Sequence, residues 1–341
     1  LRLSEMGLIM KAANTILFIA ACCMSIPAFA SEKPSVRELL DKYAETLDKI
    51  QRSFIIKNES SGKFSYRTRL SKRSGKSHRL CETRYDGEHI SQRTLKWGDL
   101  NRTLTNVPRN KALYRSYLWD GKQYITYREG SDGKYPSIVI INRGSGHDMK
   151  PLADAMNGHF RGDLVRVDSI LRQARNVTVQ DERDEIKGSA CYVIDAVTER
   201  GKYMLWIDPN HGYNIAKAMV RKKEHQLFSK RPPSRNYVSL EVTENVRFQL
   251  IDGVWVPMEA DHKYDGNYAD GYFSKSKTHV KRTEVILNPD HDALGSFVPD
   301  DIENGSRVHI VQVPGMTYTW QRDKKFIMDG WDGRSRYVPE D

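Results

Sequence analysis

Between residues 53 and 313 the chain consists almost entirely of short runs in which apolar and polar side chains alternate, punctuated by Gly, Pro, Asn and Asp. A side-chain period of two belongs to a strand with one buried face, so this pattern limits the fold more than any other feature does. The runs fall at 53–60, 63–71, 77–85, 89–97, 112–119, 123–128 and 137–141. After an interruption they resume at 177–182, 190–198, 202–207, 215–224, 237–251, 255–264, 272–288 and 307–313. Asp86-Gly87, Asp120-Gly121, Asp252-Gly253 and Asn304-Gly305 supply the positive φ that tight hairpin turns need. Strands joined in this way pair with their neighbours, which predicts an antiparallel meander.

Helical signals are few. Ser35 and Glu38 form a capping box, after which Leu39, Leu40, Tyr43, Leu47 and Ile50 make one apolar stripe over 36–51. A second helical stretch is expected at 148–157 and 163–174, where Leu164, Val167, Ile170 and Leu171 recur at helical spacing and Gly158 and Gly162 break the run. The expected fold is mainly β (α+β): a curved, incompletely closed antiparallel sheet wrapped around an N-terminal helix and short inserted helices. No long linker or internal repeat divides the 341 residues, whose 39% hydrophobic content suffices for a core. The expected organisation is a leader at 1–30, one β domain at 31–296 with the helical insertion near 148–174, and a C-terminal hairpin and tail at 297–341.

The leader reads as a secretory signal. Lys11 precedes the apolar run from Ile16 to Met24, and Ala28-Phe29-Ala30 gives a small-residue cleavage pattern, so the mature chain is expected to begin at Ser31 in the periplasm or cell envelope. The competing reading is a lipoprotein signal, Ile19-Ala20-Ala21-Cys22, which would leave a lipidated Cys22. The net charge of +10 points to an anionic partner, and export argues against nucleic acid. Of four cysteines only Cys81 and Cys191 follow the leader. One disulfide and two buried free thiols both remain open for them.

The stretch 203–220, YMLWIDPNHGYNIAKAMV, is unusual in carrying apolar bulk on both faces of one strand: Tyr203, Leu205 and Ile207 on one, Met204 and Trp206 on the other. Such a strand is covered on two sides or lines a cavity. This run, with Gly212-Tyr213 and Lys217 inside it and Cys191-Tyr192-Val193-Ile194 before it, together with the first amphipathic helix, resembles the bacterial outer-membrane lipoprotein-sorting chaperone superfamily. The likeness is clearest over 175–288. It implies a lipid- or lipoprotein-binding carrier of the envelope, with an apolar cavity that shelters acyl chains and with a lipid or an acylated lipoprotein as partner. The cavity candidates on that reading are Leu40, Tyr43, Leu47, Met204, Trp206 and Tyr213. The alternative is a non-catalytic structural or interaction protein, such as an envelope sensor, whose sheet is filled by its own side chains.

Two basic patches stand out: Arg67, Arg69, Lys72, Arg73, Lys76, His78 and Arg79, and Arg221, Lys222, Lys223, Lys230, Arg231 and Arg235 around Pro232-Pro233. They read either as protected sheet edges or as contacts with an anionic membrane surface, for which Arg67, Arg69, Lys72, Arg73, Arg221, Lys222 and Lys223 are the candidates. No enzyme is expected, and neither a metal nor a cofactor. Ser74-Gly75-Lys76-Ser77 lacks the first glycine of a phosphate loop, whose place Leu70 takes. Gly144-Ser145-Gly146 lacks the flanks of a nucleophile elbow, and in 265–271 the glycine falls one place late for a calcium loop. Asp290-His291-Asp292 and the pair Asp208 and His211 read as turn residues.

Overall fold

The computed structural model describes residues 33–68, 70–98, 112–129, 137–143, 154–163, 165–223, 237–268, 271–312, 318–321, 324–329 and 335–337. The expected leader, Arg69, Gly144-Ser145-Gly146 and the Pro232-Pro233 loop lie outside them.

Helix α1 (Val36–Gln51) buries the stripe Leu39, Leu40, Tyr43, Leu47 and Ile50. The first half of the sheet follows: β1 (Phe54–Arg67), β2 (Lys72–Tyr85), β3 (Ile90–Gly98), β4 (Leu113–Trp119), β5 (Gln123–Arg128) and β6 (Ile138–Arg143). A 3-10 turn (Ala155–Asn157) and a short helix α2 (Val167–Arg172) interrupt it. The chain returns through β7 (Asn176–Val179), β8 (Asp184–Ile186), β9 (Ser189–Thr198), β10 (Gly201–Asp208), β11 (Asn214–Lys223), β12 (Val238–Ile251), β13 (Val254–Asn267) and β14 (Phe273–Leu287). The last described strands are β15 (Arg307–Ile310), β16 (Tyr318–Gln321), β17 (Lys324–Asp329) and β18 (Ser335–Tyr337).

Pairing runs from β7 and β8 onto β9, then in order through β10 to β14. The step from β14 to β1 joins the two halves along fourteen residues, from Phe54 opposite Leu287 to Arg67 opposite Phe273. From β1 the order continues through β2 to β6, then β15 to β18. The sheet is mainly antiparallel and is not closed into a barrel. The turns behave as the sequence predicts, with φ of +104° at Gly87, +83° at Gly121, +86° at Gly305 and both members of Asp252-Gly253 positive.

The antiparallel order has one exception, since β15 runs parallel to β6 from Arg307 beside Ile138 to Ile310 beside Ile141. Two expectations need correction. The runs 53–60 and 63–71 are one strand: Ser60-Ser61-Gly62 stays in the ladder, and a Cβ on Gly62 would stand 2.6 Å from the Lys277 carbonyl oxygen. The second inserted helix is also shorter than its apolar spacing predicts, running from Val167 to Arg172, with Asp163 turned instead to Lys222 of the sheet. Of the first, the described residues form a 3-10 turn capped by the Asp154 carboxylate.

Alternation divides the sheet into two faces with separate cores. On the helix side, α1 and α2 pack on Phe54, Ile56, Ile194, Tyr203, Leu205, Ile207, Ile215, Ala218, Val220 and Val256. On the opposite face, residues from the C-terminal part (Ile302, Val308, Ile310, Tyr318, Trp320) close on Tyr114, Leu118, Ile125, Tyr127, Val139 and Ile141. Between these cores, the opposite face of β10 to β14 and β1 is left uncovered by any described helix, and the candidate site lies there.

Candidate functional site

The helix-side face over β10 to β13 is closed by residues 154–163 and 165–172, which polar ties hold down as much as packing does. The Lys222 ammonium donates to the Arg161 carbonyl at 2.9 Å and to Asp163, whose carboxylate also accepts from the Tyr203 hydroxyl at 3.1 Å. The Arg161 amide donates to Glu241 at 2.9 Å. Burial pushes Asp163 and Glu241 up and Lys222 down from their ordinary ranges. A second buried cation, Arg282, donates to the Pro257 carbonyl at 2.8 Å and to Asp154 at 3.2 Å. Arg166 bridges Asp168 and, at 2.8 Å, Asp48 of α1. These contacts fix the insertion over the sheet.

On the opposite face, two adjoining open depressions share Leu240 and Asp265. One, of about 480 Å³, is lined by Met204, Met219, Val238 and Leu240 with Lys202 and Arg221 at its rim. The other, of about 460 Å³, has Leu240 and Val242 beside Lys63, Lys263, Lys275 and Lys277. Both volumes fall within the range of small-molecule sites. Leu240 is 38% exposed.

Register explains this composition. Met204 stands opposite Met219, Met219 opposite Val242, and Val242 opposite Lys263. Lys263 then faces Lys277, Lys277 faces Lys63, and Lys63 faces Lys76. One row across seven strands thus passes from three apolar residues to four lysines. Lys263 pairs with Glu244, and in the next row Lys275 pairs with Asp265 at 3.0 Å. Lys63 and Lys277 are exposed and have no ion-pair partner among the described residues.

The sheet separates the residues expected to share a cavity. Leu40, Tyr43 and Leu47 lie at 0–1% exposure in the helix-side core, and half-buried Tyr213 packs against that core, its hydroxyl accepting from Lys42 at 3.0 Å. Met204 and Trp206 lie on the other face. Met204 lines the first depression. Trp206, 4% exposed, packs in a small cluster with Cys191, Val193 and Ala216, donates to Asp184 at 2.8 Å and lies under the Lys217 ammonium.

Of the basic candidates, Arg67, Lys72, Arg221 and Lys223 alternate onto the depression face, whereas Arg73 and the buried Lys222 turn to the helix side. Arg67 and Arg221 are paired on both sides, so edge protection does not account for them, whereas Lys72, Arg73 and Lys223 have a paired strand on one side only among the described residues, where it remains a sufficient reason. Sequence reasoning missed Lys63, Lys263, Lys275 and Lys277. Lysines two residues apart, as at 275 and 277, signal one strand face, but only the pairing of remote strands brings the four together.

No cluster of three or more His, Cys, Asp or Glu suited to a metal occurs among the described residues. Ser74-Gly75-Lys76-Ser77 lies within β2, without the strand-to-helix turn of a phosphate loop. The Asp208 carboxylate accepts from Ser189 at 2.6 Å and lies 2.6 Å from His211 Nδ1. It sits between serine and histidine, where a nucleophilic triad would need the histidine. Cys81 and Cys191 are both free and buried, and burial pushes the Cys191 thiol up to about 12.

No protein-family model and no curated protein matches this chain. Among solved structures it is similar to a DUF1329 family protein from Desulfovibrio piger, with 12% identity, 76% of this chain and 95% of that one covered, and a TM-score of 0.36. A LolA superfamily protein from Nitrosomonas europaea is similar at 13% identity over 79% and 100% of the two chains, with a TM-score of 0.32. The Pseudomonas aeruginosa MucA/MucB complex is similar at 11% identity over 74% and 99%, with a TM-score of 0.23. The likeness is distant, and at these scores it carries no argument about what the chain binds.

Proposed function

We propose that this protein is a non-catalytic carrier of the cell envelope that binds a lipid or an acylated partner on the uncovered sheet face. The acyl chain lies along Met204, Met219, Leu240 and Val242, and the head group turns toward the lysines. The observation that carries the reading is the continuity of an open apolar strip with a cationic row. Each methylene taken from water contributes about 0.8 kcal/mol, so a strip of this size holds a fatty chain without an enclosed cavity. The envelope location rests on the export signal read in the sequence. A second reading, an interaction protein with a filled core, is favoured by the complete burial of Leu39, Leu40, Tyr43, Leu47 and Ile50.

Displacement of a fluorescent fatty acid from the delipidated protein separates the two. On the carrier reading, uptake is saturable and weakens more than about tenfold in a Met219→Asp, Leu240→Asp variant whose urea midpoint is unchanged. Absence of saturable uptake by the wild type leaves the interaction reading in its place.

A further inference from the structure

Four lysines abreast on neighbouring strands are an unfavourable arrangement. Residues directly opposite in an antiparallel pair have Cβ atoms about 5 Å apart, and like charges there destabilise the sheet. Lys263, Lys277, Lys63 and Lys76 repeat this opposition three times, the first three with a paired strand on either side. The adjacent row on one side adds Lys275 and the hydroxyls of Ser65 and Ser74, with Asp265 its one carboxylate, and beyond it Arg67 faces Lys72; the row on the other side holds Glu244 and Asp261, of which Glu244 pairs with Lys263. All four lysines are exposed, and Lys263 meets Glu244 across the strands.

Resting on the carrier reading, we infer that this row is a head-group site, and that the bound amphiphile carries two or more phosphate groups. At a strand spacing of about 4.8 Å the row spans roughly 14 Å, more than one tetrahedral anion can bridge. A phosphate held between two neighbouring lysines leaves the other two for a second. Lysine suits this role as a charge on a flexible four-carbon stem that converges on an anion without a fixed geometry. The apolar residues at the end of the same row, Val242 and Met219, place the acyl part beside the head group and distinguish an amphiphile from a free polyphosphate.

The test compares phosphatidylcholine vesicles containing cardiolipin, with two phosphates per molecule, with others containing phosphatidylglycerol at equal charge density, and with soluble tripolyphosphate. Cardiolipin vesicles are expected to bind at least about tenfold more tightly than phosphatidylglycerol vesicles. Lys63→Gln with Lys277→Gln removes that preference and weakens cardiolipin binding about thirtyfold, at roughly 1 kcal/mol per basic residue. A control with the same loss of charge, Lys96→Gln with Lys122→Gln, keeps the preference. The ligand-free Lys63→Gln, Lys277→Gln protein unfolds at a higher urea concentration than the wild type, because like charges no longer face one another. Equal binding at equal charge density, or a preference that survives the double substitution, overturns the inference. Tripolyphosphate binding as tight as that of cardiolipin overturns the choice of an amphiphile. Fatty-acid uptake reads the apolar strip independently, so its loss with the phosphate preference intact would fault the carrier reading and not the row.

Discussion

Lys222 of β11 and Asp163 of the helical insertion form an ion pair whose side chains are only 2% and 1% exposed. A buried pair gives little net stability when intact, because desolvation offsets the attraction, but breaking it strands a charge. A second ion pair, with one buried partner, holds the same segment. Nine residues earlier, Asp154 meets Arg282, whose side chain is fully buried. The insertion is therefore held where both ties are made, in one register over the sheet.

Lys222→Met is expected to destabilise the fold by about 3–5 kcal/mol, since Asp163 and the Arg161 carbonyl lose their donor in a site closed to water. Adding Asp163→Leu recovers most of that loss. Urea unfolding of the single and double variants measures the difference, and equal destabilisation by both would mean that stranded charge is not the cause.

The same cluster gives a pH dependence. Burial raises the Glu241 carboxyl above its ordinary value of 4.5, against the opposing effects of the Arg161 amide and the Lys222 charge. A raised acid contributes stability that is complete below the unfolded value and is lost as pH rises through the folded one. Asp163 shifts in the same direction. Glu241→Gln removes one such loss, so its stability relative to wild type should improve between pH 4.5 and neutrality. A constant difference across that window would exclude Glu241 as a titrating group.

Trp206→Ala should cost about 3–5 kcal/mol, as for a packed aromatic in any core. Trp206→Phe keeps most of the packing and loses the bond to Asp184, which is expected to cost about 1 kcal/mol. Chemical denaturation of both variants, with fatty-acid uptake measured alongside, shows whether the indole serves the fold alone.

Neither thiol should react in the native state. Cys81 and Cys191 are 8% and 0% exposed, and the raised Cys191 pKa leaves almost no thiolate at neutral pH. A thiol reagent should modify both only after unfolding, and reductant should leave the melting temperature unchanged. A mobility shift on reduction would point instead to a disulfide.

Much of this fold was legible in the sequence because it is written locally. The period of two, the Asp-Gly turns and the stripe from Leu39 to Ile50 predict strands, hairpins and α1 to within a few residues. What failed was non-local. The parallel join of β15 to β6 has no turn to announce it, and one of the two strands that pair with β1 along its whole length lies more than two hundred residues away. The site was legible in part for the same reason. Met204 and Arg221 were visible as unusual residues on their own strands, whereas the lysine row exists only once β13, β14, β1 and β2 lie side by side.

The pairing of Phe54 with Leu287 also sets the order in which the molecule can form. β1 follows directly on α1, yet one of its two flanking strands is β14, so the strand that seats the first helix waits for nearly the whole chain. Contacts this remote in sequence carry a high closure cost and slow folding. A nascent chain ending before residue 273 would present β1 with one edge open and α1 without its full bed. Such a chain is a substrate for holding factors until its fourteenth strand arrives, and its completion is a late, cooperative event.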